Sequence, residues 1–415
     1  MSVADPIAHE SAAPSPWLSI VGIGEDGVAG LSERARELVS AAEIVFGGKR
    51  HLALAAPLIR GAARAWPSPF ERAPAEVLAQ RGRRVCVLAS GDPFFHGVGS
   101  VLARHLDAGE MLVVPQPSAF SLAAARLRWA LPEITLLSLH ARALDLVRPH
   151  LHPGARVLAL TSDGKGPAAL ARLLVQTGFG PSRVTVLEAL GGPRERVRSA
   201  SAAQFQLHPV DDLNVVAIEV MGEPGARIIA RSPGLSDAMF EHDGQITKRE
   251  IRAITLSALA PRRGELLWDV GAGAGSVAIE WMLADPSLRA IAIERQTERA
   301  ARIRRNAASF GVPTLEVVEG TAPAVLENLP RPSAVFIGGG ASDPGMVEAA
   351  TEAMPPGGRL VVNAVTLASE QLLVERQAVL GGELTRIAIA RAGPLGSKTA
   401  WRPALPVTHW TWVKP

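Results

Sequence analysis

Leu266-Leu267-Trp268-Asp269-Val270-Gly271-Ala272-Gly273-Ala274-Gly275-Ser276-Val277-Ala278-Ile279 decides the fold of the second half of the chain. An apolar run ends on an acid, passes through three glycines spaced Gly-x-Gly-x-Gly, and opens a helix at Ser276. Glycines at such a turn allow positive φ and let a ligand approach the backbone beside a helix start rich in free amides. The spacing is not the Gly-x-Gly-x-x-Gly of a dinucleotide fold. About 20 residues on, the next strand ends at Glu294, where a carboxylate can bind both hydroxyls of a ribose. Asp269, placed before the glycines, is suited to accept a bond from an ammonium group. An ammonium together with a ribose describes S-adenosylmethionine.

Around this turn the pattern is strand–turn–helix throughout, which predicts an α/β protein with largely parallel sheets. In the second half strands are expected at Glu265–Val270, Ala290–Glu294, Leu315–Val318, Ala334–Ile337, Arg359–Val365 and Glu383–Ala390, the alternation of a doubly wound sheet. Thr247-Lys248-Arg249-Glu250 reads as a Thr-x-x-Glu capping box before a helix carrying Ile251, Ile254 and Leu259. Upstream, Met221–Gly244 is rich in Gly, Pro, Asp and Ser and breaks the rhythm; this is the expected boundary between a domain at 17–222 and one at 235–415. The first half has strands expected at Trp17–Gly24, Val85–Ala89, Met111–Pro115, Ile134–Leu139, Arg156–Thr161, Val184–Leu190 and Leu213–Val220. Leu31, Ala35, Leu38, Val39 and Ala42 repeat at helical spacing after the first of them. The halves show no repeat of one another.

The first half has its own strand-end motifs: Gly22-Ile23-Gly24-Glu25-Asp26-Gly27, Ser90-Gly91-Asp92-Pro93-Phe94-Phe95-His96-Gly97, Pro117-Ser118-Ala119 and Thr161-Ser162-Asp163. A Gly-Asp-Pro turn alone is usually structural, and its company gives it weight. His96 is either an acid–base group or an imidazole packed beside Phe94 and Phe95.

Composition removes other classes. Hydrophobic residues make up 47% and charged residues 20% of 415 residues, a globular balance. No uninterrupted apolar run reaches the roughly 18 residues of a spanning helix. Forty-three basic residues are interspersed with 40 acids, without the one-faced stripe of a nucleic-acid footprint. Cys86, the single cysteine, excludes an internal disulfide and a cysteine metal cage, and fits a reducing cytoplasm. Residues 1–16 lack the basic and apolar regions of a signal peptide and read as a tail. No ligand cluster has metal spacing. The fourth and fifth strands of the second half run into Gly338-Gly339-Gly340 and Asn363-Ala364-Val365-Thr366. Neither is the Asn/Asp-Pro-Pro-aromatic motif of base methylation.

The second half resembles the decarboxylating precorrin methyltransferases of cobalamin biosynthesis through Gly244-Gln245-Ile246-Thr247-Lys248-Arg249-Glu250, the Asp269–Ser276 turn, Val335-Phe336-Ile337-Gly338-Gly339 and Val361-Val362-Asn363-Ala364-Val365-Thr366. The first half is similar to the tetrapyrrole methylases through Val21-Gly22-Ile23-Gly24 and Gly91–Gly97. Together they follow the order of the fused precorrin-6Y (precorrin-6B) C5,15-methyltransferase (decarboxylating) family. One departure is Gly24-Glu25-Asp26-Gly27, where many tetrapyrrole methylases carry Gly-Pro-Gly-Asp.

The resemblance implies a tetrapyrrole-methylase fold of two α/β subdomains followed by a Rossmann-like class I methyltransferase. It implies S-adenosylmethionine in two sites, one per domain. The first site would use Gly22, Gly24, Gly91, Asp92, Pro93, Ser118 and Thr161. The second would use Thr247, Asp269, Gly271, Ala272, Gly273, Ala274, Gly275, Glu294 and Ala322. His96, Lys248 and Asn363 are the catalytic candidates, although Thr247 is equally a cap and Asn363 equally a strand-end residue. The first domain would methylate C5, and the second C15 with decarboxylation of the C12 acetate, giving precorrin-8x. The implied partner is a precorrin, without nucleic acid or membrane, in a cytoplasmic homo-oligomer (dimer or tetramer). Two rivals are an RNA or protein methyltransferase sharing the cofactor turn, and a half that has become a docking module.

Overall fold

The computed structural model describes residues 16–415; the segment read as a tail lies almost entirely outside them. The chain divides into two compact units, one running to Arg142 and resuming at Pro153–Ala226, the other comprising Ala143–His152 and Arg227–Pro415.

The first unit holds two sheets. Strands β1 (Leu18–Ile23), β2 (Ile44–Gly47), β3 (Ala62–Ala65), β4 (Val85–Ser90) and β5 (Met111–Val114) form a parallel sheet in the order β3-β2-β4-β1-β5. Alternate side chains serve opposite faces: Val21, Ile23, Val45 and Leu88 fill one core, Ile20, Phe46, Val87 and Ala89 the other. Such two-sided burial is what continuous β-branched runs produce in a parallel sheet. The second sheet, β6 (Thr135–Ser138), β7 (Arg156–Leu160), β8 (Arg183–Glu188), β9 (Arg196–Ser201) and β10 (Asn214–Glu219), has the order β6-β7-β10-β8-β9. Here the expectation of parallel strands is corrected, because only β6 and β7 pair in parallel. The link from β8 to β9 is a short turn, and a parallel pair needs a crossover of a dozen residues or more.

In the second unit, β11 (Leu266–Val270), β12 (Arg289–Glu294), β13 (Glu316–Glu319), β14 (Ala334–Ile337), β15 (Arg359–Ala364), β16 (Glu383–Ile387) and β19 (Val407–Val413) form one sheet, ordered β13-β12-β11-β14-β15-β19-β16. The first five strands are parallel, and β19 runs antiparallel between β15 and β16. Leu267, Phe336 and Val361 pack on one face with Trp281 and Phe310; Trp268, Val335, Leu360 and Val362 pack on the other with Trp410 and Trp412. The helix Ser276–Ala284 is apolar nearly all round because it is buried along most of its length. Between β16 and β19 the chain forms a separate hairpin, β17 (Ala390–Leu395) and β18 (Lys398–Pro403). Neither β19 nor this hairpin was expected, and the predicted strand Glu383–Ala390 stops at Ile387. Among the described residues, no helix is long and apolar enough to cross a membrane.

Candidate active sites at the strand ends

A cavity of about 810 Å³ opens at the carboxyl ends of β11–β15 in the second unit, where doubly wound sheets bind ligands. Gly271 (φ +70°) and Gly273 (φ +59°) form its floor. A Cβ on Gly271 would lie 2.9 Å from the Gly339 carbonyl oxygen, and one on Gly273 would lie 2.9 Å from that of Gln245. Both glycines are therefore required by close backbone approach as well as by φ. Gly275 serves helix packing instead. A Cβ there would meet Ile303 at 2.7 Å, so its absence lets the helix Thr297–Ser309 pack closely. Ala274 is buried and, like Gly275, is not on the wall. These two members of the expected cofactor set stand behind the cavity, in turn and packing positions.

Asp269, expected in the cofactor site, is set back from the cavity. It lies beneath the turn rather than on the cavity wall, 1% exposed, with Oδ2 accepting from the Ala278 amide at 3.0 Å. Its Oδ1 is buried without a partner. Burial pushes its pKa up to about 7 and the Glu294 carboxylate adds to the rise, against the Ala278 amide. Glu294 does reach the cavity. Its Oε2 accepts from the Gly273 amide and its Oε1 from the Gln296 amide, each at 3.0 Å, which fixes the carboxylate against the glycine turn. Ala272 and Ala322 supply small wall residues, as expected for a flat ring to lie against.

The loop Gly244–Lys248 lines the cavity from above the turn. Asp243 anchors it, accepting from the Gln245 amide at 3.1 Å and pairing with Arg299 at 2.8 Å and Arg302 at 3.1 Å. These partners hold its carboxyl far below the usual carboxylate range. The capping box is corrected: the helix Arg249–Leu259 starts after Lys248 and no side chain caps it. Thr247 contributes its carbonyl, which accepts from Arg252, while Glu250 pairs with Arg391. Arg252 is wholly buried and also binds Glu280 at 2.6 Å and Asp237 at 3.1 Å, so one guanidinium fixes the loop from inside. Thr247 and Lys248 remain on the wall.

Asn363, at the end of β15, faces the cavity with its amide held at both atoms. Nδ2 donates to Thr255 Oγ1 at 3.0 Å, and Oδ1 lies 2.7 Å from His409 Nδ1. Burial lowers the His409 pKa, so a neutral imidazole donates Nδ1–H to Asn363. The sequence reading missed His409, Thr255 and Arg391. His409 sits in the unread strand β19, and only the β15–β19 register, which pairs Asn363 with His409, brings it near.

In the first unit the close approaches are of backbone to backbone. A Cβ on Gly22 would lie 1.9 Å from the Gly91 carbonyl oxygen, and one on Gly91 (φ +52°) 2.7 Å from that of Pro117. The ends of β1, β4 and β5 therefore meet at glycines. Asp92 Oδ1 accepts from the Phe94 amide at 2.9 Å, and Gly97 and Gly99 wrap the Pro93 carbonyl. A Cβ on Gly24 would crowd Asp26 Oδ1 at 2.8 Å. Ser118 caps the helix Ala119–Leu127. Thr161 is buried and its hydroxyl donates to Asn214 Oδ1 at 2.6 Å. His96 sits at φ +58° with its ring 5.2 Å from that of Phe95; partial burial and then Arg142 lower its pKa. Glu25, where the family pattern departs, pairs with Arg50 and with Arg194 at 3.4 Å.

Two unlike α/β units with glycine turns at their strand ends, one carrying an open cavity there, have the architecture of a methyltransferase, and the comparisons agree. Residues 18–206 match the Tetrapyrrole (Corrin/Porphyrin) Methylases and residues 238–414 the Precorrin methyltransferase domain. A Sinorhizobium sp. precorrin-6Y C(5,15)-methyltransferase (decarboxylating) is 62% identical over 99% of this chain and 100% of its own. The Mycobacterium tuberculosis protein of that name is 42% identical over 95% of this chain and 99% of its own. A probable cobalt-precorrin-6B C(15)-methyltransferase (decarboxylating) from Pyrobaculum calidifontis is 38% identical over 42% of this chain and 93% of its own. The chain belongs to the precorrin-6Y C(5,15)-methyltransferase (decarboxylating) family, an enzyme family of cobalamin biosynthesis that uses S-adenosylmethionine as methyl donor.

Proposed function

We propose that the chain methylates C5 and C15 of a precorrin and decarboxylates its C12 acetate, giving precorrin-8x, with one S-adenosylmethionine site in each unit. The first unit, 17–222 in the sequence reading, would act at C5, and the second, 235–415, at C15 and the acetate. The observation that carries this is the pair of glycine-lined strand-end sites, each closed so tightly that a Cβ at Gly22, Gly91, Gly271 or Gly273 would strike backbone. The Pyrobaculum calidifontis relative, which matches 42% of this chain and is named a probable C(15)-methyltransferase (decarboxylating), supports the division of labour.

The residues of the second unit fit the methyl donor. Gly271, Ala272 and Gly273 leave room at the floor, and Glu294, fixed by two backbone amides, retains lone pairs toward the cavity. When bound, the cofactor supplies an electrophilic methyl group. The meso carbons of a reduced corrin precursor behave as enamine carbons, so the substrate is its own nucleophile. The protein's part is to hold the reacting atoms about 3–3.5 Å apart and in line. Asn363, fixed by Thr255 and His409, offers a rigid amide donor at the wall, and Lys248 a cation for the carboxylates at the ring edge. Exclusion of water by the bound substrate would favour loss of charge from the acetate. In the first unit, Gly22, Gly24, Gly91, Asp92, Pro93 and Ser118 would hold the cofactor, with His96 beside them. The partner is read as a tetrapyrrole rather than a nucleic acid, and the enzyme as a cytoplasmic homo-oligomer by analogy with its relatives.

Separated units supplied with substrate and S-adenosylmethionine test the division. The second alone is expected to add one methyl and release CO2; C5 methylation by it would overturn the assignment.

A further inference from the structure

A substrate carrying many carboxylates needs cations at the mouth of the second unit's cavity, and three arginines line it, Arg295, Arg299 and Arg391. Arg299 is tied to Asp243, and Arg295, just past β12, is exposed with no acid partner among the described residues. Arg391 differs. It stands at the start of the β17–β18 hairpin and follows Ile387 and Ile389 in lining the cavity at every second residue, as side chains on one face of an extended chain do. Its partner is Glu250 on the helix Arg249–Leu259, and the two side chains are 50% and 41% exposed. A pair so open to water contributes little, on the order of 0–1 kcal/mol, and exchanges partners readily.

The hairpin also concentrates positive charge there. Arg402 is directly opposite Arg391 in the register, so both side chains leave the same face. Like charges facing each other across two strands disfavour the hairpin unless an anion lies between or beside them. Arg402 lies over Gly393, where a Cβ would come within 3.3 Å of its Cδ, and donates to the Pro394 carbonyl. That directs it toward the hairpin tip and leaves Arg391 facing Glu250 and the cavity.

We propose that Arg391 is a specificity-determining residue of the second unit, held by Glu250 in the resting enzyme and released from it to bind a peripheral carboxylate of the tetrapyrrole. Glu250 is then an internal competitor for the substrate's anion. Arg391 makes a fork–fork contact with a carboxylate that a lysine cannot reproduce. The inference rests on the second unit's acting on a precorrin.

The test uses the full-length enzyme with precorrin and S-adenosylmethionine, following C15 methylation and CO2 release, with cofactor affinity measured directly on each variant. R391Q is expected to raise KM for the precorrin about tenfold with cofactor affinity intact, R391K to recover part of it, and E250Q to lower KM two- to fivefold. A merely structural ion pair would make R391Q and E250Q fail alike. Equal effects of the two variants, or an unchanged KM in R391Q, would overturn the proposal. Absence of turnover by the wild-type enzyme would instead refute the precorrin reading itself, and the proposal with it.

Discussion

The two units build the ends of their parallel strands differently, and under the proposed function each would hold a methyl donor there. The second places two carboxylates, Asp269 and Glu294, in or beneath a glycine turn and buries both. The first brings three strand ends into backbone contact at Gly22, Gly91 and Pro117, and its acids there serve loops and surface pairs: Asp92 holds a turn and Glu25 binds Arg50 and Arg194. A site built on buried charge is sensitive to pH and to removal of a single partner. Both units, with glycines in close backbone contact at the strand ends, are sensitive to added volume.

The largest effects should follow from volume. Gly273→Asp puts a side chain where a Cβ already lies 2.9 Å from Gln245 O. It is expected to abolish cofactor binding in the second unit and leave C5 methylation intact. Gly91→Val should do the converse, since its Cβ would be 2.7 Å from Pro117 O. Calorimetric titration of S-adenosylmethionine should find half the wild-type stoichiometry in each; retention of both sites in either variant would break the comparison.

Next come the buried charges. Arg252→Met strands Glu280, which is buried with it, and should cost about 3–5 kcal/mol in the stability of the second unit. Denaturant melts should show the corresponding transition shifted while that of the first unit stays in place. Asp269 sharpens the contrast through pH. Its folded pKa of about 7 lies above its ordinary 3.8, so the folded state binds the extra proton. Its contribution is therefore fully present below about pH 4 and is lost as pH rises to about 7, by an amount on the order of a few kcal/mol. Asp269→Asn should flatten the stability of the second unit across that window; an unchanged slope would mean that Asp269 does not carry it. The smallest effect belongs to the first unit. Arg194→Gln removes pairs with Glu25 and Asp211 whose shared arginine is 60% exposed, and should change stability by no more than about 1 kcal/mol.

What was legible in the sequence follows the same line. Glycine turns, strand ends and the acid at Glu294 are local patterns, and Gly271, Ala272, Gly273, Glu294 and Ala322 fall on one wall as read. Roles that depend on long-range packing were not legible. Thr247-x-x-Glu250 has the letters of a capping box, but buried Arg252 takes the Thr247 carbonyl, and the helix begins one residue later than the box requires. Asp269 and Glu294 look equivalent as strand-end acids, and only the path of the following helix puts the first under the turn and the second in the cavity. Strand β19 carries His409 into the site because it inserts between β15 and β16, an order set by tertiary packing. The hairpin that delivers Arg391 lacks the apolar alternation of a half-buried strand, since most of its residues are exposed.

The claim that two unlike sites act on one tetrapyrrole is tested most directly by anaerobic incubation of the full-length enzyme with precorrin and S-adenosylmethionine, reading product mass. The account predicts a gain of two methyl groups with loss of one CO2. A product carrying a single methyl, with cofactor bound in both units, would contradict it.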